Sequence, residues 1–194
     1  MSHFIGLVFG NEVESLLEPY NEDLRVEPYI KLTKEQAIQE AKEDVKYILQ
    51  NPNNPDRDRV KDIKTDEQFY EFAQRFGVEK IDENGNFLST YNPDSKWDWW
   101  VVGGRWAGYL PTNDDQRVDT CAIKDVDWDK YFEINPTGPF CYITEDGEWH
   151  EVANIGWWGL TSNNKEESVW MTEFITYLKS VDPDTTVTAI DFHI

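Results

Sequence analysis

The stretch Lys96-Trp97-Asp98-Trp99-Trp100-Val101-Val102-Gly103-Gly104-Arg105-Trp106-Ala107-Gly108-Tyr109-Leu110 places four tryptophans, three glycines and one arginine in fifteen consecutive positions. Its first half has period two, with Trp97, Trp99 and Val101 on one side and Asp98, Trp100 and Val102 on the other, the pattern of a strand with large side chains on both faces. Gly103-Gly104 supplies the positive-φ freedom of a two-residue turn, so the expectation is a hairpin in which Arg105 to Leu110 returns as the partner strand. Gly108 leaves room there for something to approach the backbone.

Outward from this stretch, His3 to Phe9 and Thr185 to Ile194 read as apolar strands at the two ends of the chain. Asn11 to Leu17 reads as a short helix stopped by Pro19, and Tyr20 to Leu32 as an acidic loop. Thr33 with Gln36, and Thr65 with Gln68, are capping-box starts for two helices. A third helix is expected from Asn163 or Asn164 to about Lys179, with Trp170, Met171, Phe174, Ile175 and Leu178 on one face. Asn84-Gly85 and Asp146-Gly147 mark hairpin turns. Together these predict an α+β fold with a mainly antiparallel sheet, the N- and C-terminal strands central and about three main helices. One domain over 1–194 is expected, with a candidate mobile segment at 51–64 where Pro52 and Pro55 punctuate the chain.

The chain carries 38 acids against 18 bases, a net charge of −20, which excludes unaided binding to a nucleic-acid backbone. The tryptophan stretch is the electrostatic exception, because Asp94, Lys96, Asp98 and Arg105 cancel. No apolar run approaches the ~18 residues of a membrane span, and the N-terminus lacks a basic leader, so a cytoplasmic protein without a membrane partner is expected. Cys121 and Cys141 have no metal-ligand spacing and read as buried thiols. Asp125, Asp127 and Asp129 alternate like calcium ligands but lack the glycine and glutamate of that loop.

The motifs at both ends and in the middle resemble a family of phage and prophage proteins. Its members open on a Met-Ser-His-Phe strand, carry Lys-Trp-Asp-Trp followed by Gly-Gly-Arg-Trp, then a Gly-Trp-aromatic-Gly knot, and close on Asp-Cys-His-Ile. The matching residues are Met1 to Phe4, Lys96 to Trp99 with Gly103 to Trp106, Gly156 to Gly159, and Asp191 to Ile194. Phe192 stands where the family has cysteine, which removes a thiol from that place, and the region between Tyr109 and Pro139 is shorter than in relatives. The resemblance implies phage origin and a soluble protein inside the host cell, and carries no implication about catalysis.

Two constellations have chemical content. The first is a ligand-binding set, Lys96, Trp97, Asp98, Trp99, Trp100, Gly103, Gly104, Arg105 and Trp106 with Gly156, Trp157 and Trp158. Indole faces stack on nucleobases, while guanidinium and glycine-exposed N–H groups hold phosphate; core packing accounts for the same tryptophans equally well. The second is His3, Asp191 and His193, which adjacent terminal strands would bring together as metal ligands or as an acid–base group; histidines that end core strands with hydrogen-bonded rings are the plain structural reading. No phosphate loop, zinc-protease motif or nucleophile elbow is present. The expected function is therefore a binding protein that counters host defence by sequestering a nucleotide-like small molecule, with no cofactor. Alternatives are an acidic nucleic-acid mimic that inhibits a host nuclease, restriction or CRISPR protein, and a metal-assisted nucleotide hydrolase.

Overall fold

The computed structural model describes residues 2–155 and 161–194, and its contacts group into two compact units: the chain up to Leu24 together with Asn92–Ile194, and Arg25–Tyr91. The first unit opens with β1 (His3–Phe9) and α1 (Val13–Leu17). The second unit follows with β2 (Arg25–Leu32), α2 (Lys34–Gln50), α3 (Arg57–Val60), α4 (Asp66–Ala73), β3 (Lys80–Ile81) and β4 (Phe87–Tyr91). The first unit then resumes with β5 (Trp99–Val102), β6 (Leu110–Pro111), β7 (Arg117–Val118), β8 (Thr120–Ala122), α5 (Trp128–Ile134), β9 (Cys141–Ile143) and β10 (Trp149–Glu151). It ends with β11 (Asn154–Ile155), β12 (Thr161–Ser162), α6 (Glu167–Ser180) and β13 (Thr186–His193). The fold is α+β with a mostly antiparallel sheet.

In the first unit the main sheet runs β10-β9-β1-β13-β5, with β8 also paired to β13, so the two ends of the chain lie at its centre. β1 and β13 are antiparallel from His3↔His193 to Phe9↔Val187, while β1 and β9 are parallel. Both faces of the central strands are covered, which is why they are apolar on both sides. On one face Leu7, Phe9, Val187 and Ala189 pack with Tyr131, Trp170 and Phe174. On the other, Phe4, Val8, Ile190 and Phe192 pack with Leu17, Trp97 and Cys141. Gly6 is required where β1 runs between β9 and β13: a methyl group there would lie 2.5 Å from Cys141 Sγ and 2.6 Å from the Phe192 ring.

The second unit is a three-stranded sheet, β2-β4-β3, with α2 and α4. Both capping boxes form as the sequence predicts, Thr33 with Gln36 and Thr65 with Gln68. Thr33→Ala is expected to lower the stability of this unit by about 1 kcal/mol in chemical denaturation, because the Gln36 N–H loses its partner. The acidic segment expected as a loop is instead half strand. Pro28 is tolerated in β2 because that strand is an edge and its pairing with β4 shifts register between Arg25 and Tyr29. The segment 51–64 carries α3, whose Val60 is buried against Ala41, Val45 and Phe72.

The tryptophan hairpin is the principal correction. Trp99–Val102 does form a strand, but its partner is β13, through Ile190↔Val102, Asp191↔Val101, Phe192↔Trp100 and His193↔Trp99. Gly103 and Gly104 have positive φ, +68° and +53°, yet they lead into a 3-10 turn over Gly104–Trp106 rather than a returning strand. The Gly103 N–H donates to Ala189 O at 2.9 Å, so the chain is held down on β13 instead of turning back on itself.

Candidate functional site

Alternation along β13 puts Asp191 and His193 on one face, and the antiparallel register sets His3 directly opposite His193. Asp191 is therefore the diagonal neighbour of His3, and His3 Nδ1 lies 2.7 Å from Asp191 Oδ1. The other Asp191 oxygen, Oδ2, accepts the backbone N–H of Arg105 at 2.9 Å. On the opposite side of β13, Asp98 Oδ1 lies 2.5 Å from His193 Nδ1. Trp99 stacks on the His193 ring with centroids 5.0 Å apart and planes 13° from parallel. His3 meets both rings edge-on, 4.9 Å from His193 and 5.2 Å from Trp99.

This arrangement defines the state of the two imidazoles. A carboxylate at Nδ1 holds the proton there, so a neutral ring presents the Nε2 lone pair and a cationic ring presents Nε2–H. No described residue hydrogen-bonds Nε2 of His3 or His193, whose side chains are 9% and 6% exposed. Both rings are nevertheless held in place: Asp191 is 2% and His193 5% exposed, and Trp99, 43% exposed, forms the rim. Proton donors and acceptors fixed by carboxylates, with one working nitrogen each, are the parts of general acid–base chemistry.

Gly104 is what lets the turn approach Asp191. A methyl group there would sit 2.5 Å from Asp191 Oδ2 and 2.6 Å from its Cβ, at a φ of +53° that L residues resist. Gly104→Ala is expected to cost roughly 1–3 kcal/mol in stability and to release Asp191 from His3, measured as a lower melting temperature together with a changed His3 ring resonance. Behind the same turn Asp119, which the sequence reading passed over, accepts the Gly108 N–H at 2.5 Å and packs against Gly103.

The predicted binding set divides. Asp98, Trp99, Gly104 and Arg105 belong to the histidine face, and the Arg105 side chain is exposed. Trp97 is 7% exposed, donates its indole N–H to Leu17 O at 3.2 Å and is core. Trp100 packs on that same opposite face of the sheet, and Lys96 is paired with Glu151 at 2.7 Å. Trp106 packs against the other core cluster. The tryptophans therefore do not form one stacking surface. Gly156, Trp157 and Trp158 lie outside the described residues.

Asp98 was legible as a polar residue among tryptophans but not as the partner of His193, because that contact needs β5 beside β13. The third histidine, His150, also has a carboxylate at Nδ1, Glu173 at 3.1 Å. It stacks on Tyr142 at 4.6 Å, while Lys165 holds Glu173 at 2.8 Å. Burial pushes the Glu173 carboxyl up, but the bonds from Lys165 and His150 outweigh it and leave it below the ordinary glutamate range. Burial, with Glu173 beside it, pushes the Tyr142 phenol far above its ordinary range. Here every member is tied to another, so the cluster braces β10 against α6.

For a metal, the Nε2 atoms of His3 and His193 are the available donors; among the described residues no third His, Cys, Asp or Glu groups with them. The alternating Asp125, Asp127 and Asp129 do not converge either, since Asp127 accepts the Lys130 N–H as the cap of α5. No described helix is long and apolar enough to cross a membrane. Comparison with family models, curated proteins and solved structures gives no match.

Proposed function

We propose that the chain binds a nucleotide-like ligand at the His3–His193 face and acts on one of its phosphoester bonds, with the two histidines as general base and general acid. The observation that carries this reading is the double anchoring: each ring has its Nδ1 on a different carboxylate, Asp191 or Asp98, which leaves two Nε2 atoms for substrate. Asp191 and Asp98 are positioning residues that fix the tautomers. Trp99 offers a stacking face worth about 1–3 kcal/mol for a base, and the exposed Arg105 guanidinium suits a phosphate oxygen. In the phage setting that the sequence resemblance implies, removing a nucleotide signal would counter a host defence.

Sequestration without chemistry uses the same ligand and the same Trp99 and Arg105, so one experiment separates the two readings. Calorimetry and product analysis on a panel of cyclic and NAD-derived nucleotides, with Trp99→Ala and Arg105→Ala as controls, give turnover in the first case and tight binding of unchanged ligand in the second. No binding and no turnover across the panel would remove both.

The acidic-mimic reading is favoured by a different observation. The first unit holds 24 Asp and Glu against 7 Lys and Arg, net −17, while the second holds 14 against 11, net −3. An inhibitor of a host nuclease built this way would bind its target with steep salt dependence, and binding that persists unchanged at high salt would exclude it.

A further inference from the structure

We infer that the substrate class of the two-histidine face is a phosphodiester bearing a single negative charge, and that phosphomonoesters and nucleoside triphosphates are rejected. This rests on the proposed acid–base function and adds the chemical class on which it acts. Charge at the site sets this class. At the site the fixed anions are Asp98, Asp191 and, behind the glycine turn, Asp119. Against them stand Arg105, an exposed residue held at the site by its backbone N–H on Asp191, and whichever imidazole is protonated. Of the other bases of this unit, four are paired elsewhere, Lys96 with Glu151, Lys124 with Asp184, Lys130 with Asp115 and Lys165 with Glu173, Lys179 lies in the last turn of α6, and the Arg117 guanidinium donates to Gly108 O, whose N–H is bonded to Asp119. In a unit of net −17, a site whose three carboxylates are met by two guanidinium groups and one imidazolium has no surplus cation, so it tolerates one more negative charge and repels a second.

The chemistry agrees. A diester needs one proton removed and one supplied. The neutral histidine takes a proton from water at Nε2 as the water oxygen bonds to phosphorus; the P–O bond to the leaving group breaks; the imidazolium Nε2–H protonates the departing oxygen. The products are one alcohol and one phosphomonoester, and the two rings have exchanged charge states, which solvent resets. A monoester loses its second proton near pH 6, so the product acquires the charge that the site repels and leaves. Transfer from a triphosphate depends instead on several cations clamped to its oxygens, and this site has no surplus cation.

The test uses the full chain with four probes: bis(para-nitrophenyl) phosphate and cyclic adenosine monophosphate as diesters, para-nitrophenyl phosphate and ATP as the more highly charged comparisons. The diesters are expected to show kcat/KM roughly 10- to 100-fold above the others, with the gap narrowing at high ionic strength and falling with Arg105→Gln, whose exposed side chain leaves the fold intact. Equal or faster turnover of para-nitrophenyl phosphate or ATP would overturn the charge argument while leaving the acid–base function standing. A preference for diesters that salt does not change would also overturn it. No turnover of any of the four by native, folded protein would overturn the proposed function itself, and this inference with it.

Discussion

His193→Asn is expected to lower diester turnover by about 10²- to 10⁴-fold, the range for losing a positioned acid or base, with the protein still folded. Asparagine keeps a donor for Asp98, which otherwise lies 2.5 Å from His193 Nδ1, but has no nitrogen that can exchange a proton. His3→Asn is expected to have a comparable effect, because Asp191 retains both the side-chain donor and the Arg105 N–H. The double variant should be little worse than either single one, since the two rings act as one unit. A His193→Asn protein with full activity would show that the ring only packs.

Trp170→Ala is expected to destabilise the first unit by about 3–5 kcal/mol, the usual range for emptying a buried tryptophan site. Trp170 is 1% exposed, donates its indole N–H to Pro139 O at 3.0 Å and packs with Tyr142 and Phe174. Its removal leaves both a cavity and an unsatisfied carbonyl beneath α6, the helix that covers the central strands. The loss would appear as a lower denaturation midpoint with an unchanged slope. A shift below ~1 kcal/mol would mean that α6 is not the lid of this core.

The outline of this fold was legible because its strongest signals are local. The terminal strands are apolar on both faces, and the two capping boxes and the Asn-Gly and Asp-Gly turns announce themselves within a few residues. What local signals cannot supply is the identity of a strand's partner. Trp97 to Val102 has the period of a strand and Gly103-Gly104 the chemistry of a turn, yet the energetically available neighbour was β13, with its apolar Ile190 and Phe192. Arg25 to Leu32 failed for the converse reason: its charges and Pro28 resemble a loop, and only β4 alongside makes it a strand.

The site followed the same rule. His3, Asp191 and His193 were found by placing the chain ends side by side, and the register bears out that neighbourhood. Their hydrogen-bonded rings also fit the plain structural reading, except that the partners are carboxylates rather than backbone and that Nε2 is left over. Asp98 at His193 and the Arg105 N–H at Asp191 were not legible, because both depend on β5 and its glycine turn lying against β13.

Nitrogen-detected NMR of the histidine rings in the native protein tests the double anchoring most directly. His3 and His193 are both expected to carry the proton at Nδ1 in the neutral ring, against Asp191 and Asp98, with Nε2 unprotonated. An Nε2–H tautomer at either ring would contradict the anchoring and the acid–base roles built on it.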